Sequence, residues 1–258
     1  PTRELQLDEE FYELLSDATF WLGKLSGLAM AVDFPPVLYT SLLRKEAMES
    51  AEIEGADVDF NAIYGVETKS PDDTTPVEAS PEELAADETK DTTEVLNYES
   101  ALKYGIAQLN SGNEISIDLM HELHEHLLTG VPADRRDTDT IGEFKTKPNH
   151  IGTFLPLLPG KVDGAMGALI TYLRTGGSYH ALIDTALVHY QFETIHPYGD
   201  GNGRMGRLLI TLQLYAAEYL ERPNLYLSEY FNRNKQSYID RMEAVRRSGE
   251  WEAWIEFF

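Results

Sequence analysis

Helical periodicity constrains this chain more than any other feature. Ala181, Thr185, Val188, Phe192 and Ile195 alternate by four and three, the spacing of a helix with a buried face. From Gly201 to Leu220 the spacing returns with Leu208, Leu212, Ala216 and Tyr219. Leu14, Ala18, Leu22 and Leu25 predict another helix behind the acidic turn Asp8-Glu9-Glu10. Pro35-Pro36 then resets the chain before a helix from about Val37 to Glu54 that Gly55 stops. Further helices are predicted at about 94–109, 117–128, 161–174, 234–247 and 250–258. Only Thr140 to Leu158 lacks the period, and there Phe144-Lys145-Thr146 with His150-Ile151-Gly152 suits a short β-hairpin. The expected class is all-α.

Between Glu67 and Thr93 the composition shifts to Asp, Glu, Thr and Pro, which predicts a solvated linker or surface loop. The chain thus divides into an N-terminal helical region over 1–66, an acidic linker over 67–93 and a main helical body over 94–258. Acidity is general: 21 Lys and Arg against 44 Asp and Glu leave a formal net charge of −23. Such a surface repels nucleic acid and anionic membranes, so neither is an expected partner. The absence of cysteine excludes a thiolate metal site and a cysteine nucleophile. Phe20 to Val32, the most apolar early stretch, is broken by Lys24 and too short to span a bilayer. It also lacks the basic start of a secretion signal, so the expected location is cytoplasmic.

Arginine is scarce here, which makes a local pair informative. Residues 196–207 read His-Pro-Tyr-Gly-Asp-Gly-Asn-Gly-Arg-Met-Gly-Arg. Gly199, Gly201 and Gly203 let backbone N–H groups approach an anion, and the helix starting there adds unpaired N–H groups. Arg204 and Arg207 lie three apart on one face near that helix start, where cations oppose the macrodipole. Something negative is expected beside them, and a polyphosphate fits best. Asp200 offers a hard oxygen suited to Mg²⁺, and Asn202 an uncharged donor. His196 closes the preceding helix as a candidate general base, with Pro197 stopping that helix. Gly201 to Gly206 formally matches a dinucleotide fingerprint, but that motif needs a strand before it, and a helix is predicted.

This run resembles the signature of the Fic family of AMP-transferring enzymes, His-Pro-Phe-x-Asp/Glu-Gly-Asn-Gly-Arg-x-x-Arg, and departs from it only at Tyr198. The resemblance extends to Leu225-Tyr226-Leu227-Ser228-Glu229-Tyr230-Phe231 and to Trp251 through Phe258. It implies a Fic-type helical bundle with a short β-hairpin flap and an N-terminal helical subdomain. ATP would lie over the loop, its phosphates held by Gly201, Asn202, Gly203, Arg204 and Arg207, with Mg²⁺ on Asp200. His196 would deprotonate a Ser, Thr or Tyr hydroxyl of a target protein, with the chain itself as the default target. The flap would be Pro148, Asn149, His150, Ile151 and Gly152, aligning the target backbone by β-augmentation. Tyr238 and Met242 are candidates for the adenine pocket, and a homodimer is compatible.

Ser50-Ala51-Glu52-Ile53-Glu54-Gly55 resembles the family's inhibitory pattern, Ser/Thr-x-x-x-Glu-Gly/Asn. Glu54 at a helix C-terminus and Arg207 near an N-terminus are each disfavoured by a dipole, and pairing them relieves both. The implication is a transferase restrained by Glu54; in some members of this subclass the same glutamate supports removal of AMP. Two alternatives stand beside it: transfer of another phosphate-linked group, and a silent nucleotide-binding interaction module. His121, His124 and His126 are expected on a partly buried helix surface, and His189 with Glu193 as a buried pair supporting the loop. Trp251, Trp254, Phe257 and Phe258 are expected to anchor the last helix.

Overall fold

A computed structural model describes residues 3–31, 36–55, 88–131 and 140–258. The helices among them are α1 (Glu9–Ala31), α2 (Pro36–Ile53), α3 (Glu88–Asn110), α4 (Ile117–Leu128), α5 (Val162–Thr175), α6 (Ala181–Ile195), α7 (Asn202–Ala216), α8 (Ser228–Arg233), α9 (Lys235–Ser248) and α10 (Trp251–Phe257). Residues 67–87 of the expected acidic linker lie outside the described residues, and 88–93 form the first turns of α3. No described helix is long and apolar enough to cross a membrane.

Helix α6 sits at the centre because its apolar residues run around most of its circumference. One side, with Val188, Phe192 and Ile195, joins a core shared with Leu43, Ala47, Met48 and Ala51 of α2, Tyr98 and Leu102 of α3, and Leu123 and Leu127 of α4. The other side, with Ile183, Ala186, Leu187 and Tyr190, packs with Tyr238, Met242, Val245 and Trp254. Trp254 is fully buried and donates its indole N–H to Ala186 O at 3.0 Å, so the last helix is anchored on α6 as expected. Helix α7 returns along α6, joined by a hydrogen bond between His189 Nδ1 and Gly206 O at 3.1 Å.

Helix α1 forms where the period predicts it; of the periodic residues Leu22 is buried, beside Phe11, Ser26 and Ala29, while Leu14 is 48% exposed. The Ser26 hydroxyl accepts the Glu221 N–H at 2.9 Å. One expectation is corrected: the hairpin pairing 144–146 with 150–152 is absent. No strand forms among the described residues, and the segment holds only an antiparallel bridge between Ile151 and Phe154. Its hydrogen bonds go elsewhere, because Lys145 N–H donates to Pro197 O at 2.9 Å and Asn149 Nδ2 to Tyr198 O at 2.9 Å.

Polar contacts latch α2 onto α8. Glu46 accepts from Ser228 N–H at 3.0 Å and from Ser228 Oγ at 2.6 Å, and Asn232 Nδ2 donates to Glu49 and Glu52, each at 2.9 Å. Burial pushes the Glu46 carboxyl up to about 7, although the Ser228 hydrogen bonds and the Arg207 charge oppose the rise. Below about pH 4 the group is protonated in both folded and unfolded chains and contributes nothing. As pH rises towards 7 the unfolded chain ionises first, so stability falls, by about 3 kcal/mol in total, and the loss is complete above the folded value. Glu46→Gln is expected to remove that component. Urea unfolding at pH 5 and pH 8 checks it: the wild-type loss between the two should shrink in the variant, and an identical loss contradicts the assignment.

Candidate active site

The turn between α6 and α7 is shaped by its own side chains. His196 caps α6 in the left-handed region, φ 52° and ψ 63°, with its N–H donating to Phe192 O at 2.8 Å. Pro197 then has no N–H with which to continue the helix. Gly201, at φ 71°, occupies the corresponding position before α7. Asn202 is buried and spans the turn: Oδ1 accepts Tyr198 N–H at 2.8 Å, and Nδ2 donates to Tyr198 O at 2.9 Å. It therefore holds the loop's shape.

A second support comes from His124, expected on a partly exposed surface but fully buried. Its Nδ1 accepts the Gly142 N–H at 2.9 Å, so the ring proton lies on Nε2 and is donated to Asp200 O at 3.0 Å. Burial lowers this imidazole to about 4, keeping it neutral in that tautomer. Its ring stacks on Tyr198 at 3.9 Å and 11°. The aromatic at position 198 is thus a structural floor of the loop.

Above that floor lie two buried guanidinium groups. Arg207 donates from Nε to Ser50 Oγ at 2.6 Å and from Nη2 to Ser50 O at 2.8 Å and Glu54 Oε1 at 2.5 Å. Arg204 faces Glu54 Oε2 at 3.2 Å, Glu94 Oε2 at 3.3 Å and Asp200 Oδ1 at 3.6 Å. Burial alone would lower both guanidinium groups. For Arg204 the charges of Glu54, Glu94 and Asp200 reverse that, and for Arg207 chiefly Glu54 does, so both stay charged. A Cβ at position 203 would lie 2.4 Å from Glu54 Oε1, so a side chain there would displace the carboxylate from its present place at the start of α7.

His196 stands on the other side of the same loop. Its Nδ1 is 3.7 Å from Glu193 Oε2, inside the reach of an ion pair and beyond that of a good hydrogen bond. Burial raises the Glu193 carboxyl, but contact with His196 and the charges of His189, His196 and Arg207 outweigh it and hold the group below its ordinary value. Glu193 is therefore a buried carboxylate facing Nδ1, which leaves Nε2 as the ring nitrogen available to a substrate. His189 does not pair with Glu193 as expected. It bonds Gly206 O and, through Nε2, Tyr238 Oη at 2.8 Å.

His196, Asp200, Gly201, Asn202, Gly203, Arg204, Arg207, Ser50 and Glu54 thus meet at one place, with Gly55 (φ 97°) closing the turn after α2. Tyr238 and Met242 are instead buried in the apolar core, while Pro148, His150 and Gly152 are exposed and Asn149 and Ile151 half-buried. Glu94 and Lys145 were not anticipated. Glutamate is too common in this chain for Glu94 to stand out. His124 did carry a signal, lying on the helical stripe of Met120, Leu123 and Leu127. No cluster of three or more His, Cys, Asp or Glu among the described residues is arranged for a metal ion. Asp200 offers a partly exposed hard oxygen there, and Glu54, which is engaged with both arginines, offers another; the Asp200 oxygen suits Mg²⁺.

The Fic/DOC family N-terminal model matches residues 12–107, and the Fic/DOC family model matches residues 114–214. Protein adenylyltransferase Fic of Drosophila ananassae is 35% identical over 128 residues, 49% of this chain and 25% of that protein. Its counterpart in Culex quinquefasciatus is 29% identical over 167 residues, 64% of this chain and 31% of that protein. The chain thus spans a quarter to a third of these curated relatives. Among solved structures, a Fic family protein from Desulfovibrio desulfuricans superposes with a TM-score of 0.75 at 20% identity, covering 98% of this chain and 71% of that one. A Fic domain containing signaling protein from Bacteroides thetaiotaomicron gives 0.64 at 19% identity, covering 93% and 89%. At those identities the likeness is one of fold.

Proposed function

Because this chain belongs to the Fic/DOC family, we propose that it transfers AMP from ATP to a Ser, Thr or Tyr hydroxyl of a protein and is restrained by its own Glu54. The observation that carries the reading is the convergence of His196, Arg204 and Arg207 on one short turn, with a carboxylate already resting on both guanidinium groups. Buried cations of that kind match the charge of a triphosphate. Asp200 would hold Mg²⁺, which when bound offsets the phosphate charge.

The chain's own groups divide the chemistry. Nε2 of His196 takes the proton of the target hydroxyl, while Glu193 facing Nδ1 favours the imidazolium that results. The hydroxyl oxygen forms a bond to the α-phosphorus, the bond to the bridging oxygen breaks, and pyrophosphate leaves. Asn202 and His124 keep the loop in shape throughout. Glu54 accepts from Arg207 Nη2 and lies 3.2 Å from Arg204 Nε, the donors that a γ-phosphate would otherwise engage, so ATP binds in an unproductive geometry. The test uses ATP labelled at the α or the γ position with Mg²⁺ and the protein carrying Glu54→Gly. Label is expected on protein from the α position only. Label from γ indicates phosphate transfer, and none from either with ATP bound overturns the reading.

A further inference from the structure

The most unusual buried charge outside the anion site is Lys145. It is 4% exposed, and among the described residues no carboxylate pairs with it. Its Nζ donates to Asn149 Oδ1 at 2.7 Å and lies 3.4 Å from Ile195 O. Burial lowers its amine to about 8, the only cause of that shift. A side chain serving only to fill space there would more cheaply be apolar. The Ile195 carbonyl is one of the last in α6, so it lacks a partner in the helix and carries the negative end of the dipole.

The surrounding hydrogen bonds show what the amine is attached to. Ile195 O faces Lys145 Nζ, Pro197 O accepts the Lys145 N–H at 2.9 Å, and Tyr198 O accepts from Asn149 Nδ2 at 2.9 Å. Three carbonyls on both sides of His196 are thus held by one short segment, 145–149. His196 between them is a non-glycine residue at φ 52°. A left-handed conformation of that sort costs about 1–3 kcal/mol and persists only where the surroundings enforce it. Phe192 O holds His196 from the helix side, and the 145–149 segment holds it from the other.

We propose that Lys145, together with Asn149, is a positioning residue that clamps the backbone around His196. The same clamp fixes the base relative to the segment 148–152 along which a target backbone would lie. The inference rests on the AMP-transfer reading for its kinetic consequence, while its structural consequence is measured without turnover.

The kinetic arm uses the full chain carrying Glu54→Gly. Adding Lys145→Met is expected to lower kcat for AMP incorporation roughly 10–100-fold, the scale of a misplaced catalytic group. The KM for ATP should change less than about threefold, because Arg204 and Arg207 keep their contacts. Lys145→Arg should restore kcat to within about threefold, since guanidinium can reach the same acceptors. Asn149→Ala should give a smaller loss of the same kind. The second arm records imidazole NMR signals of unmodified protein with and without Lys145→Met, the His196 signal being identified by its absence in His196→Ala. Displacement of that signal, with the buried His124 and His189 signals unmoved, supports the clamp. Lys145→Gln replaces Lys145→Met if the latter does not fold. An unmoved His196 signal, or a uniform loss of kcat, ATP affinity and melting temperature that Lys145→Arg does not rescue, overturns the proposal. If no variant transfers AMP but the His196 signal moves, the clamp stands and the AMP-transfer reading falls.

Discussion

Glu54→Gly is expected to raise AMP incorporation roughly 10–100-fold at saturating ATP and Mg²⁺. Glu54 engages Arg207 Nη2 at 2.5 Å and lies 3.2 Å from Arg204 Nε. Removing the carboxylate returns those donors to the nucleotide. A hydrogen bond to a charged group is worth about 1.5–3 kcal/mol, and each 1.4 kcal/mol is about tenfold in rate if the bond is made in the transition state. Arg207 stays in place because its bonds to Ser50 Oγ and Ser50 O do not involve Glu54. Arg204 likewise keeps Glu94 and Asp200. The variant should therefore fold, with a lower melting temperature in the absence of nucleotide, since two buried cations have lost a shared partner. ATP should raise that melting temperature more in the variant than in the wild type. Incorporation measured with α-labelled ATP at matched nucleotide occupancy decides the point: an equal rate in both proteins means that Glu54 is not a brake.

His196→Ala in the Glu54→Gly protein is expected to lower AMP incorporation by about 10³-fold, within the range general-base catalysis contributes. Binding of ATP should be nearly unchanged, because the phosphate-facing cations belong to α7 and to their own partners. The left-handed cap at 196 adds one structural consequence, as alanine tolerates φ 52° less well than the constrained native turn. Calorimetric titration with ATP separates the two effects. Lost incorporation with retained binding assigns the base, whereas lost binding means that the loop has changed shape.

The helices were legible because their signal is local. The period of 3.6 residues marked α4 at its observed limits, and the stops at Gly55 and Pro197 fell where the structure places them. The contents of the 196–207 run were legible for the same reason: residues three and four apart on one helix must share a face. The hairpin expected at 144–152 failed because the lack of a helical period in a short segment says nothing about competing acceptors. Pro197 O and Tyr198 O, some fifty residues further on, took the hydrogen bonds that a hairpin would have used.

By itself the sequence determined the helical class, the glycine-rich turn and the chemical types gathered there, all consequences of residues joined by a few covalent links. The pairing of Glu54 with Arg207 is readable from a pattern, but the bonds from Arg207 to Ser50 and the sharing of Glu54 with Arg204 are not. Tertiary structure alone decided that Glu94 joins that pair, that Asn202 folds inward onto Tyr198, that His124 is buried beneath the loop, and that Lys145 grips the backbone beside His196. The physical reason is range. Propensity and periodicity act over a turn or two of chain, whereas burial of a charge is settled by whichever distant group arrives with a matching donor or acceptor.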